Sequence, residues 1–108
     1  MEIDLDKFDR QKRVGGWNQQ LLERQHLLIV GAGALGNEVI KLLLQLGVRE
    51  FTVIDYDVVV KSNLNRCIFF SEEDAEKKRF KAEAIAEKVK QINSSARAWP
   101  ILQKIENV

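Results

Sequence analysis

The stretch LLIVGAGALGNEVI, residues 27–40, constrains this chain more than any other part of it. An apolar run leads into three glycines and then into an apolar, helix-like stretch. Gly31, Gly33 and Gly36 fit the spacing G-x-G-x-x-G, and each has a physical task. Gly31 permits a tight turn off the strand, Gly33 lets backbone approach a phosphate with no Cβ in the way, and Gly36 lets helix and strand pack closely. The N-terminus of the following helix then directs free N–H groups and a positive dipole end at an anion. Asp55 closes the next predicted strand, 19 residues after Gly36, where a carboxylate can accept hydrogen bonds from ribose hydroxyls. The bland alternative is a glycine-rich packing turn with Asp55 as an ordinary strand-terminal residue. The succession strand, loop, helix, strand, acid favours a nucleotide.

The rest of the sequence reads as one small α/β domain over residues 1–108. Residues 1–16 are polar and end in a turn at Gly15 and Gly16, after which Asn18 is the N-cap of a short helix reaching Arg24. Residues 26–30 form an apolar strand expected to be covered on both faces, as parallel strands are. Residues 35–46 are helical, with Leu35, Val39, Leu42, Leu43 and Leu46 at helical spacing and Gly47 as the stop. Residues 50–55 form a second strand and a polar loop follows. Residues 72–93 are predicted as one long helix with Ala82, Ile85, Ala86, Val89 and Ile92 as its buried stripe. Residues 96–105 complete the set as a strand that Pro100 confines to an edge or splits. The order β-α-β-α-β is a Rossmann-like parallel sheet, half of a doubly wound domain.

Composition narrows the partners. At 45% hydrophobic the chain can bury a core, and acids and bases almost balance at a net charge of +1. That balance gives no argument for nucleic acid or an anionic membrane as partner. The apolar runs fall short of a membrane span, and the acidic start MEIDLDKFDR is no secretory signal. Cys67 is the sole cysteine, which rules out an internal disulfide and a cysteine-rich zinc site on this chain. A soluble cytoplasmic domain is the expectation.

The segment after Asp55 bears on which nucleotide is bound. An ordinary dehydrogenase would enter another helix soon after that acid. Here a polar segment intervenes, with a second acid at Asp57, then KSNLNR, then bases running to Lys81. Asn63 and Asn65 offer amides, and Arg66 and Lys81 offer cations. The pyrophosphate of NAD is largely met by a glycine loop, whereas cleavage of a triphosphate builds negative charge that needs cations. Composition alone leaves KSNLNR equally readable as a turn-rich loop. Lys77, Lys78, Arg79 and Lys81 could likewise be a solvated helix start, although bases in a first turn oppose the helix dipole and so point to an anion nearby.

Taken together, these segments resemble the ThiF/MoeB/HesA family of ubiquitin-activating-enzyme-like adenylating domains. FDRQ (8–11) is similar to the family opening R-Y-x-R-Q, and GGWNQQLLER (15–24) to G-x-x-G-Q-x-x-L. The glycine loop with its helix (27–48) resembles the family's own. VIDYDVVVKSNLNR (53–66) resembles D-x-D-x-V-x-x-S-N-L-x-R, and KAEAIAEKVKQIN (81–93) the K-A-containing helix. The resemblance spans residues 7–95, and the S-N-L-x-R block with the downstream K-A is its most specific part. It implies ATP-dependent adenylation of the C-terminal glycine of a small β-grasp protein, ubiquitin-like or a sulfur carrier, with ATP and Mg2+. By position it implies that Gly31, Gly33 and Gly36 line the phosphates and Asp55 holds the ribose, with Asp57 as the second acid of the block. Asn63 and Arg66 would contact phosphates with Ser62 beside them, and Lys81 would neutralise charge at the α and β phosphates. Arg10 would reach into the site of a dimer partner. Without the resemblance, Arg10 reads equally as a solvated residue on an N-terminal arm.

Some features depart from the family pattern. Cys67 stands where glutamine is usual; the family's reactive cysteine lies further along, so Cys67 reads as a buried structural thiol. The spacing from Asp74 to Lys81 is about two residues longer than the family's, and the usual proline after Ile92-Asn93 is replaced by SSARAWP. The fourth strand with the family's magnesium-binding aspartate has no counterpart, so the main metal ligand is expected outside this sequence, and the sequence is expected to be a piece of a longer enzyme or a truncated relative. An exposed sheet edge and helix face would then draw in a second copy or a complementary chain. Two other readings remain at this stage: an NAD-type Rossmann half-domain, and a non-catalytic assembly module that keeps the fold.

Overall fold

The structure, a computed structural model, describes residues 6–107, with side chains through 106. The first five residues of the acidic N-terminal reading lie outside the described residues. Three strands, β1 (His26–Val30), β2 (Glu50–Ile54) and β3 (Arg97–Ile101), pair in parallel in the order β1-β2-β3. Five helices accompany them: α1 (Asp9–Lys12), α2 (Gln19–Glu23), α3 (Ala34–Leu46), α4 (Glu72–Glu76) and α5 (Lys81–Ile92). The β-α-β-α-β order is as the sequence predicts, with α4 an added short helix ahead of α5. Pro100 falls in β3, an edge strand, where its missing N–H faces no neighbouring strand. Among the described residues no helix is long and apolar enough to cross a membrane.

The core lies on one side of the sheet. Phe51 and Val53 of β2 are fully buried beneath Ile40 and Leu44 of α3 and beneath Ala82, Ile85 and Val89 of α5, with Cys67 and Phe69 closing the end. Burial of Cys67 agrees with its reading as a structural thiol. The opposite face is uncovered, contrary to the expectation for β1: Leu28 and Val30 remain 58% and 56% exposed. Register explains why. Leu28, Thr52 and Trp99 are aligned partners and share this face, and both long helices pack on the other. Trp99 stacks on His26, whose Nε2 lies 2.7 Å from Thr52 Oγ1.

α3 departs from its leucine pattern. Its buried residues are Asn37, Ile40 and Leu44, while Leu35 is 78% exposed and Leu42 and Leu46 also face solvent. The rotation follows from Gly36, where an added Cβ would lie 2.2 Å from Gly31 O. That approach turns the 36-40-44 row toward the sheet and leaves much of the leucine series outside. In α5 the stripe holds for Ala82, Ile85 and Val89, whereas Ile92 is exposed.

The single helix predicted over 72–93 is broken. α4 is a one-turn helix with a capping box: Ser71 Oγ accepts from Asp74 N–H, and Asp74 Oδ2 accepts from Ser71 N–H. Lys78 then adopts a left-handed conformation, φ +51, and Phe80 pairs with Val58 in an isolated antiparallel bridge. Val59 N–H donates to Arg79 O and Lys81 N–H to Asp57 O, so residues 57–59 clamp the chain just before α5. Arg79 secures the corner through the buried Asp74 carboxylate, 3.1 Å away, and through Glu87. A lysine in left-handed backbone is strained. Lys78→Gly should therefore raise stability by about 1 kcal/mol, read as a higher urea midpoint at unchanged slope.

Candidate functional site

The glycine loop, Asp55 and Asp57 lie together at the carboxyl ends of β1 and β2. Gly31 leaves β1 at φ +95, a conformation open to glycine, and donates its N–H to Ile54 O across to β2. Asp55 follows β2 directly. Its Oδ2 accepts Ala32 N–H at 2.7 Å and its Oδ1 accepts Asp57 N–H at 2.7 Å. One carboxylate thus joins the glycine loop to the loop after β2. A carboxylate has roughly four acceptor positions, so two remain for ligand hydroxyls.

Gly33 ends the loop as the N-cap of α3, and nothing lies within 4 Å of where its Cβ would stand. The protein itself does not require glycine there, and the space beside it is open. No acceptor among the described residues takes the N–H groups of Gly33 or Ala34. These are the orphan donors of a helix N-terminus, suited to phosphate.

Beside the loop is a recess of about 360 Å³ whose lining includes Gly31, Asp55, Tyr56, Asp57, Gln103 and Lys104. Tyr56, Gln103 and Lys104 were not among the expected site residues. The Lys104 ammonium sits 5.5 Å from the centroid of the Tyr56 ring. Reading residues 96–105 as strand hid the last two; β3 ends at Ile101 and the chain turns across the strand ends. The rule that ligands sit beyond the carboxyl ends of parallel strands would have found them.

Lys81, the first residue of α5, has a side chain only 13% exposed, with Nζ 4.0 Å from Asp57 Oδ2. Of the basic run, it is the cation that lies beside Asp57. Lys77 is the C-cap of α4, where the helix dipole favours it, and its hydrogen bond to Glu73 raises its pKa above the ordinary lysine value. Arg79 is held above the usual guanidinium range, first by its hydrogen bond to Glu87. The dipole argument for an anion near Lys77 and Lys78 therefore lapses, since both follow α4 rather than open a helix.

Ser62 and Asn63 lie in a 3-10 turn, Lys61–Asn63, and Asn63 Oδ1 accepts Val60 N–H. Arg66 stands exposed one turn on, its N–H bonded to Asn63 O. Arg10 is not brought to this site within the chain. Gln11 Nε2 donates to Leu46 O, which places α1 at the far end of α3. A helix of 13 residues is about 20 Å long, so Arg10 belongs to the opposite end of the domain. Among the described residues no group of three His, Cys, Asp or Glu side chains could hold a metal ion.

This geometry defines a Rossmann-like α/β domain. The chain belongs to the ThiF family, whose pattern matches residues 8–107. It is 32% identical over 98% of its length to the SAMP-activating enzyme E1 of Haloferax volcanii, and 33% identical over 96% to the sulfur carrier protein adenylyltransferase of Thermus thermophilus. It spans 41% and 40% of the lengths of those two relatives. Among solved structures, Escherichia coli tRNA N6-threonylcarbamoyladenosine dehydratase in complex with ATP superposes with TM-score 0.82 at 30% identity, covering 92% of this chain and 40% of that one.

Two of the glycines make opposite predictions. Gly36→Ala drives a Cβ into backbone and should cost about 3 kcal/mol, the upper part of the overpacking range. Gly33→Ala meets nothing in the protein and should melt within about 1 kcal/mol of the parent. Thermal melts followed by circular dichroism check both.

Proposed function

We propose that the chain is the ATP-binding part of an enzyme that adenylates the C-terminal glycine of a small β-grasp protein, ubiquitin-like or a sulfur carrier. The observation that carries this reading is Asp55, whose carboxylate ties the open glycine loop to the segment bearing Asp57 and, through it, Lys81. The relatives support the reaction class by what their names say they activate.

In this reading the Gly33 and Ala34 N–H groups face phosphate and the free lone pairs of Asp55 accept from the ribose. A carboxylate oxygen of the carrier protein attacks the α-phosphorus; a P–O bond forms, the bond to the β-phosphate oxygen breaks, and pyrophosphate leaves. Negative charge grows on the leaving group, and Lys81 and Arg66 offset it, with Ser62 and Asn63 beside them. Fixed cations that gain strength as that charge develops lower the barrier rather than merely tightening the ground state. Arg10, at the far end of α3 from its own loop, serves the site of a second chain. Magnesium travels with ATP and takes its main protein ligand from outside these residues. The cytoplasm, with ATP and reduced thiols, is the compartment that suits the single buried Cys67.

Calorimetric titration tests the reading. ATP should bind the parent chain and NADH should not. Arg66→Ala and Lys81→Ala should each weaken ATP about 10- to 100-fold, the cost of one charge-assisted hydrogen bond, while melting as the parent does. Equal binding of NADH, or ATP affinity indifferent to both substitutions, would sink it. Exchange of pyrophosphate into ATP with a β-grasp partner reports the chemical step itself.

A further inference from the structure

Asn37 is the one polar side chain in the buried row of α3, which otherwise carries Ile40 and Leu44. It is fully buried. Its Nδ2 donates to Ala32 O at 3.0 Å and to Gly33 O at 2.9 Å, and its Oδ1 accepts Phe69 N–H at 2.9 Å. A buried amide is costly unless satisfied, and an apolar residue would serve packing better. Three bonds from one side chain to two separate loops indicate another task.

We propose that Asn37 is a positioning residue for the nucleotide site: it aims the glycine-loop N–H groups outward and locks that loop to the segment carrying Asn63 and Arg66. The inference rests on the nucleotide reading of the site given above. The aiming follows from peptide geometry. In a trans peptide the C=O and the next N–H point in opposite directions. Holding Ala32 O inward therefore turns Gly33 N–H outward, and holding Gly33 O inward does the same for Ala34 N–H. Neither donor has an acceptor among the described residues.

The locking follows from the third bond. Arg66 N–H and Cys67 N–H both donate to Asn63 O, and Phe70 N–H donates to Cys67 O. Residues 63–70 thus form one hydrogen-bonded turn, and Phe69 N–H attaches it to Asn37. Cys67 and Phe69, both buried in the core, seat the turn from below. Elements that lie about 30 residues apart in sequence are registered by one amide.

A structural role alone would loosen the whole domain, whereas positioning acts on phosphate. Asn37→Ala and the smaller polar Asn37→Ser are to be compared with Val89→Ala, a buried α5 substitution remote from the loop, at a temperature where circular dichroism shows all of them folded. Calorimetry with ATP and chemical-shift titration with adenosine, which lacks phosphate, give the two affinities. Asn37→Ala should weaken ATP about tenfold and adenosine less than about twofold. Val89→Ala should leave both unchanged. Equal weakening of both ligands, or an unchanged ATP affinity, would overturn the proposal.

Amide hydrogen exchange without nucleotide reads the coupling independently. Asn37→Ala and Asn37→Ser should speed exchange in residues 66–70 and leave β3 and α5 as protected as in the parent. Uniform acceleration, or none in 66–70, would count against it. If the parent binds no ATP, the nucleotide reading fails on that result, and exchange alone then decides whether Asn37 couples the two loops.

Discussion

α3 meets the end of β1 so closely that the carbonyl of Gly31 occupies the space a Cβ on residue 36 would need. Much of the structure depends on that approach. It sets the rotation of α3, which puts Ile40 and Leu44 on the sheet and Leu35 in solvent. It brings the first turn of the helix to the carboxyl end of the sheet, with its unpaired N–H groups facing outward. It also carries Asn37 beneath the loop, where an amide can hold the loop carbonyls from within. Packing and ligand geometry are therefore the same constraint seen from two sides of one peptide chain.

The second half of the site is assembled by a different device. The bridge between Val58 and Phe80, with the flanking bonds from Val59 to Arg79 and from Lys81 to Asp57, ends α4 and starts α5 at a fixed place. Lys81 thereby lands beside Asp57 with most of its side chain buried, so its ammonium is held by short-range structure rather than left to wander. Of the neighbouring bases, Lys77 pairs with Glu73 and Arg79 with Asp74 and Glu87, while Lys78 takes the left-handed corner position. A run of four cations in the sequence resolves into two ion-paired bases, one lysine at the corner and one beside Asp57.

Much of this was legible in the residues. The strand, the three glycines and Asp55 fixed the β-α-β unit, and Cys67 read correctly as buried because nothing nearby could activate it. The leucine series of α3 misled because its apolar arc is wide, with Glu38, Lys41 and Gln45 on the remainder, and periodicity cannot choose which part of so wide an arc is buried. The corner at 77–80 was invisible because it holds neither glycine nor proline; tertiary bonds to residues 57–59 bend the chain, and a lysine tolerates the strain. The bare face of β1 depends on where two helices settle, which a strand's own five residues do not encode. Gln103 and Lys104 join the site through the turn after β3 and meet Tyr56 from the loop after β2, a relation of space rather than of motif.

The parallel sheet also governs the order in which the fold can arise. His26 pairs with Glu50, 24 residues on, and Glu50 with Arg97, 47 residues further. Neither ladder can close as a hairpin; each waits for its intervening helix to collapse against the strand. During synthesis the glycine loop and α3 have β2 to fold against well before β3 leaves the ribosome. Asp55 is made with β2, so the bond to Ala32 can form in that first unit. The glycine-loop end of the site would thus be shaped while the Gln103 and Lys104 end is still an open chain.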